Sequence, residues 1–306
     1  MKAGSADGLV GLVLLLPVVA ALCFSGLRFV QEADDVPADR AYEVANDTIE
    51  SWGFSLPHDA VAVLPAWSLR AHRFLRHLEP LSGDVLAERP LDRVARLFVL
   101  VEPDGEDAFA ALLARLGAPA AQHHIENLTL YRFDLRGPFV AFDLTEALAE
   151  AEVALERSSG DVLPCDLRTA AGVSCNGAPT WQRVTREHLL LTENGQRALW
   201  AHPPPAGETL VLRWRDTPPA RELVFSAGFT RKGAGGAVAP VMVDLSVGGT
   251  PVASLQFPPR FAFTTHRIAL PLQAQLGGEF QMRVRTENNE KSHWAFDAFL
   301  SRGGAP

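Results

Sequence analysis

The pattern of hydrophobic and polar positions begins with one long apolar segment. Residues 9–27 are 19 positions without a charged side chain. At about 1.5 Å per residue, a helix of this length comes close to crossing a bilayer core of about 30 Å. Pro17 lies within the run, which membrane helices tolerate. The pattern therefore predicts a transmembrane anchor over residues 1–30.

A cleaved signal peptide is the alternative for this segment. The apolar run is long for a signal peptide, and no small-x-small cleavage site follows it. Leu22 precedes Cys23, where a lipoprotein site would need a small residue. We therefore expect a retained single-pass anchor in the cell inner membrane, with residues 9–27 contacting lipid. Lys2 and Arg28 flank the two ends, so charge does not set the orientation.

The next part of the chain alternates between strand-like and helix-like patterns. Residues 31–58 predict a juxtamembrane linker and a helix. Within residues 59–142, the run 95–103 contains an uninterrupted apolar stretch, 97–101, as in a strand buried on both faces. An amphipathic helix closed by Gly117 follows it, and residues 127–135 alternate like another strand. This order predicts a small Rossmann-like α/β layer with parallel strands.

The last part of the chain predicts a C-terminal antiparallel β-sandwich of the jelly-roll type. Residues 143–160 read as a linker helix, and residues 161–306 form the sandwich. Gly248 and Gly249 separate two alternating runs and predict a hairpin. Many short strands at this spacing are typical of a sandwich, and the candidates are 188–194, 197–203, 208–216, 221–229, 239–247, 250–257, 266–272, 279–286 and 293–300. The predicted fold class is thus α+β with several domains.

Charge separates the same two parts of the chain. Residues 31–159 contain 11 Lys and Arg against 23 Asp and Glu, a net charge of −12. Residues 160–306 contain 15 against 12, a net charge of +3. No long basic run is present, so nucleic acid is not an expected partner. Cys165 and Cys175 are ten residues apart, and a disulfide between them would fit an oxidising compartment, with two reduced thiols as the alternative.

Two sequence segments carry a resemblance to a known family. The segments HDAVAVLPAW and RLFVLVEPDGED resemble the soluble C-terminal region of polytopic bacterial glycosyltransferases, the dolichyl-phosphate-mannose or aminoarabinose transferase-like enzymes. The part after Cys165 resembles a galactose-binding-like or carbohydrate-binding jelly roll. Those enzymes have many membrane spans and carry their catalytic acids in loops between the first spans. The resemblance therefore implies an accessory ectodomain, and it transfers no catalytic residue to this chain.

One acidic loop is the strongest candidate for chemistry. Glu102, Asp104, Glu106 and Asp107 follow a predicted buried strand and precede a helix. Ligands bind at the carboxyl ends of strands in open parallel sheets, and clustered carboxylates could hold a divalent cation there. Acidic residues at a helix start also complement the helix dipole, and this is the simpler interpretation. No hydrolase, zinc-protease or nucleotide motif is present, so no metal site or cofactor is expected.

Tryptophans and nearby donors make a second candidate site in the predicted sandwich. Exposed indole rings stack on sugar rings, and cationic or imidazole groups bind hydroxyls. The set chosen as possible ligand contacts is Trp200, His202, Arg213, Arg215 and Trp294. Trp181 and His293 belong to the same pool of aromatic and donor residues. Tryptophan in an alternating strand is more often core, and the pattern places Trp214 inside.

These observations predict a membrane-anchored extracytoplasmic accessory protein of the cell envelope. Its expected partners are a glycan or a polytopic membrane glycosyltransferase, and no catalysis is expected. The alternative is an exported hydrolase or transferase that uses the acidic loop. The two hypotheses predict different site geometries. An enzyme needs converging carboxylates in a cleft, whereas a glycan-binding protein needs an exposed aromatic ring.

Overall fold

The structure is a computed structural model, and it describes residues 37–56, 58–78, 91–135, 139–177, 179, 181–190 and 195–303. The predicted anchor at residues 1–30 lies outside this part of the chain. No helix within the described ranges is long and apolar enough to cross a membrane.

Within the described residues, the first half of the chain contains three helices and four strands. The helices are α1 (Asp39–Ser51), α2 (Leu69–Phe74) and α3 (Glu106–Leu116). The strands are β1 (Asp59–Leu64), β2 (Arg96–Val101), β3 (Ala121–Ile125) and β4 (Leu128–Asp134). A 3-10 turn, Pro103–Gly105, precedes α3.

The second half consists almost entirely of strands. They are β5 (Val140–Asp143), β6 (Glu152–Glu156), β7 (Val162–Cys165), β8 (Leu167–Arg168), β9 (Gly172–Ser174), β10 (Arg183–Leu190), β11 (Gly195–Ala201), β12 (Thr209–Thr217), β13 (Glu222–Phe229), β14 (Val241–Val247), β15 (Thr250–Phe257), β16 (Phe263–Ala269), β17 (Gly278–Thr286) and β18 (Trp294–Ser301). A helical turn, α4 (Arg231–Ala234), follows β13, and 3-10 turns span Glu146–Glu150 and Ala274–Leu276.

A four-stranded sheet in the order β1-β2-β4-β3 organises the first half. Strand β2 is buried along its length because both sheet faces are covered. On one face, Phe98 and Leu100 pack against Tyr42 and Ile49 of α1. On the other face, apolar side chains of β1, β2 and β4 pack against α3. The buried strand and the helix closed by Gly117 are therefore confirmed.

The sheet is not the parallel Rossmann-like layer that the sequence predicts. Strands β1 and β2 are parallel, but β4 runs antiparallel to both β2 and β3. The tight turn at Glu126 and Asn127 joins β3 directly to β4 and leaves no room for a crossover helix. The alternation of the run 127–135 revealed a strand but not its direction.

Two antiparallel sheets form the β-sandwich of the second half. One contains β16-β13-β18-β11-β10-β9-β8, with β5 also paired to β18. The other contains β15-β14-β17-β12-β6-β7. Their inner faces meet in one hydrophobic core that includes Trp214, Phe225, Phe280, Trp294 and Phe296. The predicted sandwich is thus present, and the Gly248-Gly249 hairpin joins β14 to β15 with both glycines at positive φ.

The predicted linker helix over residues 143–160 is wrong. The chain forms a short 3-10 turn at Glu146–Glu150 and then β6, which pairs with β12 inside the sandwich. Val153 and Leu155 face the core, and Ala154 between them is less buried. Ala, Glu and Leu favour a helix, but strand pairing and burial outweigh so small a local preference. Because β5 pairs with β18, the sandwich begins near residue 140.

Residues 92 and 93 attach the first half to the outer face of the β18 sheet. Arg93 binds Asp143 through nitrogen–oxygen distances of 2.7 and 3.0 Å and Asp297 through distances of 2.6 and 2.9 Å. Its guanidinium also lies 4.5 Å from the ring centre of Phe299. The buried Asp92 accepts two hydrogen bonds from Arg267, at 3.0 and 2.9 Å. These ion pairs join the two halves of the chain.

A disulfide joins Cys165 of β7 to Cys175, which follows β9. The two cysteines are buried in the sandwich core, and the bond links strands of opposite sheets. In the chain-entropy model, a disulfide that closes a loop this short stabilises the folded state by about 2–3 kcal/mol.

We expect only one of the three cysteines of the purified protein to react with an alkylating agent in denaturant without reductant. That residue is Cys23, and reduction should expose the other two. Intact-mass measurement counts the added groups. Three additions before reduction would show that Cys165 and Cys175 are reduced thiols.

Candidate functional site

The pairing of β11 with β18 brings one tryptophan and two histidines together on the outer face of the sandwich. Trp200 is opposite Ala295, and Ala201 is opposite Trp294. Side chains alternate between faces along a strand, so Ala201 and Trp294 point into the core while their neighbours point out. Trp200, His202 and His293 therefore share the outer face at the end of this sheet.

These residues line a cavity of about 360 Å³ that is open to solvent. Trp181, just before β10, forms one wall, with its ring centre 4.6 Å from that of His202. Trp181 is 38% exposed, whereas Trp200 below it is 7% exposed. The loop between β17 and β18 supplies the opposite wall through Asn289, Glu290, Lys291 and His293. The cavity thus combines an exposed indole ring with polar side chains.

Both histidines of the cavity are held in the neutral form. Burial lowers the pKa of His202 below its usual value of 6.5. Burial, and then the positive charge of Lys232, lower the pKa of His293 as well. The imidazoles are therefore uncharged at neutral pH and act as hydrogen-bonding groups.

The hydrogen bond of His202 fixes which of its nitrogens can accept. Its Nδ1 lies 2.9 Å from the carbonyl oxygen of Pro203. A carbonyl only accepts, so Nδ1 carries the proton and donates it. In the neutral ring, Nε2 is then an acceptor, which suits a hydroxyl donor such as that of a sugar.

Of the ligand contacts predicted from the sequence, Trp200 and His202 lie together at the cavity. Trp294 does not line it. Trp294 is fully buried in the sandwich core, 5.4 Å from Phe296 and 5.9 Å from Phe257 between ring centres. The alternation of β18 explains this position, since Trp294 shares its face with Phe296, Ala298 and Leu300. Trp294 is a core residue.

Arg213 and Arg215 also lie away from the cavity. Both belong to β12 of the opposite sheet. Arg213 donates to Gln281 at 3.3 Å and lies 3.8 Å from Glu156, and Arg215 pairs with Glu152 at 2.8 Å. The alternation correctly placed Trp214 inside and the arginines outside, but the outer faces of the two sheets point in opposite directions.

The acidic loop does not form a site among the described residues. Glu102 is engaged inward: it accepts a 2.6 Å hydrogen bond from the Tyr42 hydroxyl and a second from the Ser68 hydroxyl. Burial and the neighbouring Glu102 hold the pKa of Tyr42 well above its usual range.

The other acids of the loop, Asp104, Glu106 and Asp107, are exposed at the start of α3. No group of three potential ligands suited to a metal ion occurs in the described ranges. The loop therefore lacks the converging carboxylates that the enzymatic alternative needs.

Sequence reasoning missed the loop residues Asn289, Glu290 and Lys291. They are short-range neighbours of His293, but no pattern indicated that the β17–β18 loop folds beside Trp181. The sequence analysis considered Trp181 and His293 for sugar binding but did not include them among the predicted ligand contacts. An aromatic residue outside any alternating run, as Trp181 is, was the available signal for an exposed ring.

No protein-family model and no curated protein matches the chain, so the predicted resemblance to glycosyltransferases gains no support. Several solved structures are similar to about half of this chain. The first is a two-domain segment of Clostridium perfringens ZmpB in complex with GlcNAc, at 12% identity and a TM-score of 0.25, covering 49% of this chain and 25% of that one. The matched region therefore spans only a quarter of the chain in that structure.

Two single modules are similar over nearly their whole length. A Clostridium perfringens family 51 carbohydrate-binding module in complex with methyl-galactose has 13% identity, a TM-score of 0.28 and coverage of 52% of this chain and 98% of that one. A Caldicellulosiruptor saccharolyticus family 27 module in complex with mannohexaose has 10% identity, a TM-score of 0.35 and coverage of 54% and 97%. Because these scores are low, the fold given above rests on the strand pairing of this chain.

Proposed function

We propose that the chain is a non-catalytic glycan-binding protein and that the cavity beside Trp181 is its binding site. One observation carries the proposal: an exposed indole ring faces a cavity lined by Asn289, Glu290 and His293. The apolar ring covers the C–H face of a sugar, and the polar groups bind its hydroxyls. At about 360 Å³, the cavity has the size of a small-ligand site.

Binding without hydrolysis is the expected activity because, among the described residues, the cavity lining contains a single carboxylate, Glu290. Glycoside hydrolysis generally uses two carboxyl groups about 5–10 Å apart. We therefore expect the protein to bind polysaccharides without turning them over.

Replacing Trp181 by alanine should weaken glycan binding by about tenfold or more, because an aromatic anchor commonly contributes over 1 kcal/mol. Binding of the detergent-solubilised full-length chain is measured by affinity electrophoresis in gels containing neutral and acidic polysaccharides. Trp67→Ala is the matched control, since Trp67 is 70% exposed but belongs to the α/β half. Equal losses in both variants, or no binding by the unaltered chain, would contradict the proposal.

We further propose that residues 9–27 anchor the protein in the inner membrane, with the sandwich on the extracytoplasmic side. The uncharged 19-residue run supports the anchor. The disulfide supports export to an oxidising compartment.

The anchor makes a direct prediction for the protein expressed in a bacterial host. It should float with membranes after carbonate extraction and retain residues 9–27 by intact-mass measurement. A mature chain that starts beyond residue 20, or release by carbonate, would contradict the anchor but would leave glycan binding unaffected.

A further inference from the structure

Lysine has an unusual distribution in this chain. Of 28 Lys and Arg residues, only Lys2, Lys232 and Lys291 are lysines. Lys291 lines the cavity beside Trp181. Lys232, on α4, is close enough to His293 for its positive charge to lower the pKa of that histidine. Both lysines beyond the N-terminus thus lie at one site, although they are 59 positions apart in the sequence.

Two glycines let these lysines approach the cavity. A Cβ atom at Gly233, next to Lys232, would lie 2.5 Å from the carbonyl oxygen of His293, so α4 packs directly on the cavity loop. A Cβ atom at Gly236 would lie 2.6 Å from Cδ of Lys291, so the stem of Lys291 rests on bare backbone. Larger residues at either glycine would push the lysines away.

The backbone of Lys291 is itself in an uncommon conformation. Its φ is 55°, in the left-handed region that non-glycine residues rarely occupy. A hydrogen bond of 2.8 Å from the His293 amide to the Lys291 carbonyl holds the turn. Such conformations persist where the surrounding structure fixes them, and here the result is a lysine placed at the cavity wall.

The charges around the cavity favour an anionic ligand. Lys232 and Lys291 are exposed, and neither forms an ion pair with another described residue. Arg183 lies 5.4 Å from the ring centre of Trp200 and pairs with Glu187 at 3.9 Å, so these two charges offset each other. Glu187 also accepts a 2.7 Å hydrogen bond from the Thr185 hydroxyl, and Glu290 is the acid of the cavity lining, so Lys232 and Lys291 leave one positive charge in excess. Lysine ammonium groups on flexible stems suit a carboxylate approaching from solvent.

We infer that the ligand of this cavity is an acidic saccharide whose carboxylate is bound between Lys232 and Lys291. The sugar ring lies on Trp181, and the neutral histidines bind its hydroxyls. This inference rests on the proposed glycan-binding function and specifies its ligand class.

The test compares matched acidic and neutral polysaccharides on the full-length chain in detergent. Polygalacturonate, alginate and hyaluronate are each paired with their carboxyl-reduced form, in which the carboxylate becomes a CH₂OH group. We expect at least one acidic form to bind about tenfold more tightly than its neutral partner, with an advantage that falls at high salt. Equal or tighter binding of the neutral forms overturns the acidic class and leaves the glycan-binding function intact. No binding to any form overturns both.

Chemical modification separates the charge of the lysines from their shape. Acetylation removes the charge, whereas reductive methylation keeps it, and within residues 3–306 both reach only Lys232 and Lys291. Acetylated protein should lose the preference for acidic forms, and methylated protein should keep it. Lys232→Met and Lys291→Met should each reduce the preference for the acidic over the neutral form about two- to fivefold. Lys2→Met is the control, and an unchanged preference after acetylation would contradict the assignment of the lysines.

Discussion

Replacing Trp294 by alanine should lower the free energy of unfolding by about 3–5 kcal/mol, the usual cost of truncating a large buried aromatic residue. The indole is fully buried at the start of β18 and stacks on Phe296. Its loss leaves a cavity between the two sheets that the surrounding side chains cannot fill. Urea denaturation of the full-length chain, followed by tryptophan fluorescence, measures the change.

Trp294→Phe is the control that separates packing from ligand binding. The indole Nε1 has no hydrogen-bond partner among the described residues, so phenylalanine loses no hydrogen bond. We expect a cost of about 1–2 kcal/mol for the smaller ring and unchanged glycan binding. A Trp294→Phe protein that is stable but no longer binds glycan would return Trp294 to the ligand site.

Replacing Arg93 by alanine should lower the free energy of unfolding by about 2–4 kcal/mol, because it removes the guanidinium that binds two partly buried carboxylates. The side chains of Asp143 and Asp297 are only 20% and 17% exposed, so water compensates poorly for the lost guanidinium. Arg93 is itself 34% exposed, which keeps the expected effect below that of a fully buried pair. The measurement is again urea denaturation.

Two further variants show whether geometry or charge matters at Arg93. Arg93→Lys keeps the charge but cannot make paired hydrogen bonds to both acids, so it should recover about half of the lost stability. Arg76→Ala removes an exposed ion pair with Glu50 and should cost about 0.5 kcal/mol or less. If Arg93→Ala is no more costly than Arg76→Ala, the two halves of the chain are not held together by Arg93.

The proposed site illustrates how a sheet can place function away from its core. The inner face of β11 packs Leu199 and Ala201 between the sheets, and the outer face presents Trp200. The loops at this end then add Trp181, His202 and His293 around it. The side chains that pack the core and those of the proposed site therefore lie on opposite faces of the same sheet.

The sequence by itself determined most of the strands and their inner faces. Alternation with period two identified β12 and β14, and the Gly248-Gly249 pair identified a turn, because both signals are local. The continuous apolar run of β2 likewise predicted a strand covered on both faces. Such features depend only on neighbouring residues, so they can be read without knowing the fold.

Only the tertiary structure decided strand direction, the extent of the sandwich and the membership of the site. The segment 143–160 has a helical composition, yet pairing of β6 with β12 makes it a strand. Arg213 and Trp200 both point outward, yet they lie on opposite sheets. Alternation distinguishes two faces of a strand but not which sheet carries it or which loop covers its end. Those relations depend on residues far apart in sequence, such as Trp181, His202 and Lys291, which line one cavity only in the folded chain.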